Sequence, residues 1–223
     1  MNHLDSSDSD DSEFIDAVAR LDTDRVSQML DDHFSRGSFE VVVDDWLMPT
    51  LDRVGQAWAA GQLSVAAEHA VSYAVGRRLA AAYEAAAHRE DGPRVLVGLP
   101  PDVRHELGLL AFAVAARRAG LSTAYVGADL PAPDWADAIR AHRAVCVVLS
   151  VPRREDLANL RKVVSVVRAA HPHLTVAVGG RYQEKAPRIC RRLGHRIGPA
   201  AQDLAHQLSL DDGPAPGQTT SAL

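Results

Sequence analysis

One histidine stands where an imidazole could bind a metal ion or another ligand. His105 lies in the segment Asp102–Gly108, between a short β-branched run and an apolar helical pattern, so we expect it at or just before a helix N-terminus. The spacing His105-x-x-Gly108 is weak evidence by itself. With 10 His and 15 Gly in 223 residues, roughly 0.7 such matches arise by chance.

Small residues follow two later β-branched runs. The hydroxyl of Ser150 can point into a crevice, and the pair Gly179-Gly180 would let a ligand lie directly against the backbone. A turn-forming serine and a left-handed turn are the structural alternatives. At each position alone, the structural role is the commoner by about three to one.

A second constellation precedes these residues in the chain. Nine residues separate Trp58 from the pair Glu68-His69, an arrangement expected by chance only about 0.005 times. The short connection between two predicted helices could bring the three side chains onto adjoining helical faces. The structural alternative is a tryptophan in a bundle core and a solvated Glu-His edge.

The N-terminal part of the chain has the pattern of a four-helix bundle. Helices are predicted over residues 13–21, 23–35, 39–60 and 65–88, joined by short loops. Ser38 and Ser64 are candidate N-caps, and Gly37 and Gly61 are candidate ends. Pro49 should kink or divide the third helix.

After residue 93 the pattern changes to alternating strands and helices, which predicts an α/β fold. Strands are predicted over 94–97, 123–126, 145–149, 174–178 and 195–197, and helices over 106–119, 133–141, 154–170, 184–193 and 200–208. Such alternation favours a doubly wound parallel sheet, Rossmann-like and flavodoxin-like, with ligands at the carboxyl ends of the strands. The predicted domains are a disordered acidic tail over 1–12, the bundle over 13–92, the sheet domain over 93–210 and a disordered tail over 211–223.

Composition excludes several classes of function. Six acids and no Lys or Arg fall in the first 17 residues, and since the whole chain carries a formal charge of −5, the rest is nearly neutral. We therefore expect no direct binding of nucleic acid. The Arg-rich stretch 153–168 has the spacing of a solvated helix face. Two cysteines without metal-ligand spacing, and no apolar run of membrane-spanning length, favour a cytoplasmic protein away from membranes.

Taken together, the residues of the sheet domain resemble the cobalamin-binding fold of methionine synthase, methylmalonyl-CoA mutase and the corrinoid methyl carriers. The resemblance covers residues 94 to about 208 and rests on His105-x-x-Gly108, Ser150 and Gly179-Gly180 at the family's spacing. It implies that His105 coordinates cobalt from the lower face, while the nucleotide tail passes Ser150 and the two glycines. The family usually has an acid two residues before the histidine. Here Val103 stands there, with Asp102 one residue out of register.

With the helical part included, the chain is similar to the sensor module of CarH-type cobalamin photoreceptors. That resemblance implies a bundle that caps the cofactor, with Trp58 over the upper axial group and Glu68 and His69 at the adenosyl moiety. It therefore favours adenosylcobalamin as cofactor. Sensors of this type also carry a histidine directly after the tryptophan, where this chain has Ala59.

Three functions follow from the resemblance. The first is a light sensor without its own DNA-binding domain, not an enzyme, that signals through homo-oligomerisation or a separate effector protein. The second is a corrinoid methyl-carrier subunit of a methyltransferase system, and the third is cobalamin storage or delivery. Related stand-alone sensors also hold a bilin. No residue here identifies a bilin site, and a thioether-linked bilin in the bundle is excluded because neither Cys146 nor Cys190 lies there.

Overall fold

The computed structural model describes residues 3–87 and 89–211, and its N-terminal part is a helical bundle. The helices are α1 His3–Ala19, α2 Thr23–Arg36, α3 Phe39–Val42, α4 Met48–Ala59 and α5 Val65–Ala85. A π-helical segment, Val43–Leu47, joins α3 to α4 without a break. Within the described residues, the bundle therefore consists of α1, α2, the continuous helix from α3 to α4, and α5. The predicted four-helix bundle is confirmed. No helix within the described residues is long and apolar enough to cross a membrane.

Caps and a proline set the local shape of the bundle. Ser38 Oγ accepts a hydrogen bond from the amide of Val41 (3.4 Å), and Ser64 Oγ accepts one from the amide of Ala67 (3.1 Å), as predicted. Pro49 follows the π-helical segment at the start of α4. Because proline lacks an N–H and crowds the carbonyl four residues earlier, the helix widens there instead of breaking.

The first helix begins earlier than the sequence pattern predicts. α1 starts at His3 rather than at residue 13. The Asp11 side chain is buried in the bundle, where it accepts a hydrogen bond from Thr50 Oγ1 (2.8 Å) and pairs with Arg53. Because this carboxylate has partners inside the bundle, the helix continues into the acidic segment, and the expected boundary at residue 12 falls too late. Apart from Asp211, the predicted tail over 211–223 lies outside the described residues.

The second half of the chain is a five-stranded parallel sheet in the order β2-β1-β3-β4-β5. Its strands are β1 Arg94–Val97, β2 Ser122–Tyr125, β3 Cys146–Ser150, β4 Thr175–Gly179 and β5 Arg191–Arg192, and its helices are α6 Leu107–Arg118, α7 Asp134–His142, α8 Leu157–Ala170 and α9 Ile197–Asp211. One core joins α6 and α9 to the bundle, and a second lies under α7 and α8. The predicted doubly wound α/β fold is confirmed.

The segment before α9 differs from the prediction. The helix expected over 184–193 and the strand expected over 195–197 are both wrong, because a 3-10 turn at Gln183–Lys185 and the short β5 precede α9. The side chain of buried Gln183 donates to the carbonyl of Gly194 (2.8 Å) and accepts from its amide (2.9 Å). These bonds hold the chain as a loop, and Pro187 has no amide hydrogen for a helix.

Polar and aromatic contacts fasten the bundle to the sheet domain. Tyr83 of α5 donates to the carbonyl of Thr123 (2.8 Å), and the Arg117 guanidinium lies 3.6 Å from the centre of the Tyr83 ring. Glu40 of α3 pairs with Arg118 of α6 at 2.6 Å. The bundle therefore has a defined position over one face of the sheet.

Candidate functional site

A cavity of about 620 Å³ lies between the bundle and the carboxyl ends of β3 and β4. The sheet domain contributes four of the predicted site residues to its lining, Gly108, Ser150, Gly179 and Gly180. The bundle contributes the π-helical segment and the start of α4, through Asp44, Met48, Pro49 and Asp52. The structure thus brings together residues from three separate segments of the chain, around positions 108, 150 and 179.

Gly180 lets the segment after β4 pack closely against the end of β3 in the wall of this cavity. Its φ is +90°, and an added Cβ would lie 2.7 Å from both Ser150 Oγ and the carbonyl oxygen of Val151. Only glycine fits there without a shift of β3. Ser150 is paired in register with Gly179, so the hydroxyl and the two glycines meet at one edge of the sheet.

The predicted metal ligand, His105, lies in the loop between β1 and α6. Arg153 Nη2 donates a hydrogen bond to His105 Nε2 at 2.6 Å, and since arginine has no acceptor, this nitrogen presents a lone pair. Partial burial and then the positive charge of Arg153 lower the pKa of His105 below its usual range. The imidazole is therefore neutral near pH 7, which is the form that binds metals.

The acid expected beside this histidine has other partners. Asp102 accepts a hydrogen bond from Asn159 (3.3 Å), its own amide donates to Asp129 Oδ1 (2.7 Å), and Val103 is buried in the core. In the part of the chain that the structure describes, Asp102 makes no hydrogen bond to His105. Asp102 therefore does not take the place of the acid that the family has hydrogen-bonded to its histidine.

Of the three predicted bundle residues, Trp58 and His69 are exposed and Glu68 is half-buried. Glu68 accepts hydrogen bonds at both carboxylate oxygens, from Ser72 Oγ (2.8 Å) and from His69 Nδ1 (3.0 Å), and the His69 side chain is 76% exposed. Trp58, near the end of α4, is 43% exposed. Within the described residues, no hydrogen bond or ring contact joins Trp58 to the pair.

One face of α5 links Glu68 to the sheet domain. A Cβ at Gly76 would lie 3.6 Å from Leu107 of α6, and Ser72 and Glu68 lie one and two turns earlier on the same face. Eight residues of helix rise about 12 Å, so Glu68 extends beyond the contact with α6. Burial and Arg153 lower the pKa of His105, and the negative charge of Glu68 opposes this lowering without reversing it.

Sequence reasoning missed three polar residues at the site. Arg153 hydrogen-bonds to Nε2 of His105, the nitrogen expected to bind the metal. Arg181 lines the cavity and follows Gly179-Gly180 directly. Asp44 accepts hydrogen bonds from the amides of Ile197 (2.6 Å) and Gly198 (2.9 Å), so a bundle carboxylate caps the start of α9. The position of Arg181 after the glycine pair was a usable signal, whereas the role of Asp44 depends on packing between distant segments.

These residues fit a corrinoid. Its macrocycle supplies four nitrogen ligands to cobalt, so the protein needs to add a single axial imidazole and space for the tail. His105 offers an accessible imidazole, but it does not itself line the cavity, whose sheet-domain lining begins three positions later at Gly108 and includes another histidine, His195. Within residues 3–87 and 89–211, no cluster of three or more His, Cys, Asp or Glu could hold a metal ion without such a macrocycle.

Comparison with known proteins agrees with this chemistry. Two family models, both described as a B12 binding domain, match residues 12–83 and 78–202. The chain is 32% identical over 188 residues to the HTH-type transcriptional repressor CarH of Myxococcus xanthus, covering 84% of this chain and 62% of that protein. It is 29% identical over 191 residues to the repressor CarA of the same organism, covering 86% and 65%. The chain thus spans less than two thirds of either relative's length.

The fold also matches a solved structure. The Methanosarcina barkeri monomethylamine corrinoid protein superimposes with a TM-score of 0.71 at 11% identity, covering 87% of this chain and 96% of that one. This likeness supports the arrangement of helical bundle and Rossmann-like domain. The two curated relatives are repressors by name, in line with the prediction that the chain is not itself a catalyst. On the match of its sheet domain, the chain belongs to the B12-binding domain family.

Proposed function

We propose that this protein is an adenosylcobalamin-binding light sensor. The observation that carries the proposal is the set Trp58, Glu68 and His69 on the bundle, at the spacing of the sensor module that the chain resembles, with Trp58 and His69 exposed to a ligand. The cofactor would be held between these three residues and His105. When bound, adenosylcobalamin supplies a cobalt–carbon bond that visible light cleaves.

On the lower side, His105 is the proposed axial ligand. Arg153 donates to the same nitrogen, so this hydrogen bond and coordination of a metal exclude each other. Arg153 must therefore move away when cobalamin binds. The neighbouring Glu155, whose carboxylate lies 3.5 Å from Arg153, is an acceptor available to the displaced guanidinium.

The cavity is the proposed site of the nucleotide tail. Gly108, Ser150, Gly179 and Gly180 give it an uncharged wall against which the tail can pack. The tail carries one negative charge, on its phosphodiester. Arg196 at the rim is paired with Asp45 at 2.7 Å, whereas Arg181 forms no ion pair or hydrogen bond within the described residues. Arg181 is therefore the proposed partner of the phosphodiester.

On the upper side, the indole of Trp58 can pack on the adenine ring, and Glu68 and His69 can hydrogen-bond the ribose hydroxyls. Loss of the adenosyl group would remove the ligand that these three residues hold. Only direct contacts would then hold the bundle against the sheet domain, such as the ion pair of Glu40 with Arg118 of α6 and the hydrogen bond that Asp44 accepts at the start of α9. We propose that the signal is a shift of the bundle at these contacts, which changes self-association or the affinity for an effector protein. A bilin stays a prediction from the resemblance alone.

The test is illumination of the protein reconstituted with adenosylcobalamin in the dark. We expect a changed absorption spectrum and a changed elution volume in size-exclusion chromatography after light. The variant Trp58→Ala should photolyse but change its elution less, because the upper contact is already weakened. Identical elution of the wild-type protein before and after complete photolysis would contradict the proposal.

A corrinoid methyl carrier is the second candidate, and the exposure of the upper surface favours it. A 43% exposed Trp58 and a 76% exposed His69 leave room for a partner protein to reach the cofactor. Reconstitution with methylcobalamin and assay of methyl transfer to a thiol, with a methyltransferase added, separates the two functions. Turnover would support the carrier, since the sensor predicts none.

A further inference from the structure

A second concavity, of about 670 Å³, lies on the side of the sheet that α8 covers. It is formed by the start of α8 and the 3-10 turn Gln183–Lys185, two elements brought together by the fold. Arg154, Arg161 and Lys185 supply positive charge to its lining, Glu155 supplies one negative charge, and Tyr182 and Leu157 supply apolar surface. The cobalamin cavity shares none of these residues.

The three cations of this concavity have no protein partners. In the described part of the chain, the side chains of Arg154, Arg161 and Lys185 form no ion pair and no hydrogen bond, and all three residues are exposed. Other cations nearby are engaged. Arg168 donates to the carbonyls of Pro172 and Ile189, and Arg192 pairs with Glu184 at 3.2 Å.

The single acid does not neutralise the concavity. The only ion pair of Glu155 in the described residues is with Arg153, at 3.5 Å. Asp156, at the start of α8, accepts from the amide of Arg153 (2.8 Å) instead of capping the first turn of its own helix.

We propose that this concavity binds a small molecule with two or more phosphate groups and an apolar portion. Three cations from two elements can surround a diphosphate, and Arg guanidinium groups match phosphate oxygens in pairs. Tyr182 and Leu157 offer a surface on which a planar apolar group can stack. The volume lies in the range of small-molecule sites. A nucleoside diphosphate has the required chemistry.

The concavity and the proposed cobalamin cavity lie on either side of one short segment of the chain. Gly180 and Arg181 line that cavity, whereas Tyr182 and Lys185 line this concavity, so one short segment borders both.

Cobalamin must be in place during the test, because an empty tail cavity could itself accept a nucleotide. The full chain is therefore reconstituted with cobalamin in the dark before titration.

The experiment is calorimetric titration of that protein with ADP and, separately, with inorganic pyrophosphate. We expect saturable one-to-one binding of both, tighter for ADP, and weakened by raised salt. Arg161→Glu and Lys185→Glu should each weaken binding about tenfold or more, because each removes a charged hydrogen bond and adds repulsion. Lys162→Glu is the matched control, since Lys162 lies on the same helix outside the concavity and bonds Asn159. It should leave the affinity unchanged.

Three results would overturn the proposal. They are the absence of saturable binding at millimolar ligand, an equal loss in Lys162→Glu, and tighter binding of a poly-aspartate peptide than of either phosphate ligand. Binding of ADP without pyrophosphate would also contradict it, because the phosphates are the proposed determinant. The cobalamin spectrum of each variant should match the wild type, which shows that the fold is intact.

Discussion

The two sides of the proposed cobalamin site are built differently. The lower side consists of strand ends and backbone, with Ser150 buried and Gly180 in a conformation that only glycine adopts easily. The upper side consists of helix side chains, and Trp58 and His69 are largely exposed. A rigid lower side suits retention of a cofactor, and an open upper side suits a response to what the cofactor carries. Each prediction below tests this difference.

The largest effect is expected from His105→Ala. Changes beside a metal ligand commonly cost 10- to 100-fold in affinity, so loss of the ligand itself should cost more than about 100-fold. Cobalamin affinity and the absorption spectrum measure this loss. His206→Ala, at an exposed histidine of α9, is the control. An unchanged spectrum in His105→Ala would show that His105 does not bind the cobalt of the cofactor.

Gly180→Ala should distort the wall of the tail cavity. The positive φ costs about 1–3 kcal/mol for a residue with a Cβ, and the new Cβ would collide with Ser150 and Val151. Urea unfolding and cobalamin titration should both show a loss. Gly61→Ala shares the positive φ of a glycine at +75° but has no atom within 4 Å of the new Cβ. Gly61→Ala should therefore be less stable than the wild type but bind cobalamin with the same affinity. Equal cobalamin affinities of Gly61→Ala and Gly180→Ala would contradict the role of Gly180.

Arg181→Gln should discriminate between two corrinoids. A charged hydrogen bond contributes about 1.5 kcal/mol or more, which corresponds to about a tenfold loss in cobalamin affinity. Cobinamide lacks the phosphodiester and the nucleotide, so its affinity should stay unchanged. Arg188→Gln, in the same loop region but outside the cavity, should affect neither. Equal losses for cobalamin and cobinamide would show that Arg181 does not bind the phosphodiester.

Trp58→Ala should change selectivity more than affinity. The indole is exposed, so its removal should shift stability by no more than about 0.5 kcal/mol. Its stacking with adenine should be worth about two- to tenfold in preference for adenosylcobalamin over hydroxocobalamin. Competition between the two forms measures this ratio. A preference that stays the same would assign selectivity to Glu68 and His69 instead.

The smallest effect concerns the contact between bundle and sheet domain. Burial is the largest single influence and raises the pKa of Glu40, but the hydrogen bond and charge of Arg118, together with hydrogen bonds from the Glu40 amide and Ser38, outweigh it, so the net pKa lies below the usual range. The stabilisation is therefore present above the unfolded pKa of about 4.3 and is lost as the pH falls through the lower folded value. Because the pair is partly exposed, it is worth less than about 1 kcal/mol. Between about pH 5 and pH 3, thermal stability should fall more steeply for the wild type than for Glu40→Gln.

The sequence predicts the strand ends that line the cavity better than it predicts contacts between distant segments. Runs of β-branched residues predict strands, and Ser150 and Gly179-Gly180 directly follow such runs. The helix misplaced over 184–193 shows the limit, because the long-range bonds of Gln183 to Gly194 override a helical pattern. Asp44 was missed for the same reason. It caps α9 from a segment about 150 positions away, through a π-helical turn that no local pattern indicates.

The hydrogen bond from Arg153 to His105 has a consequence for free metal ions. A hydrated divalent ion such as zinc or copper would have to displace a guanidinium and then sit beside its positive charge. Cobalt within a corrin arrives with most of its charge already balanced by the ring and its substituents. The arginine that we propose moves away for the macrocycle would therefore discourage binding of free metal ions to the imidazole.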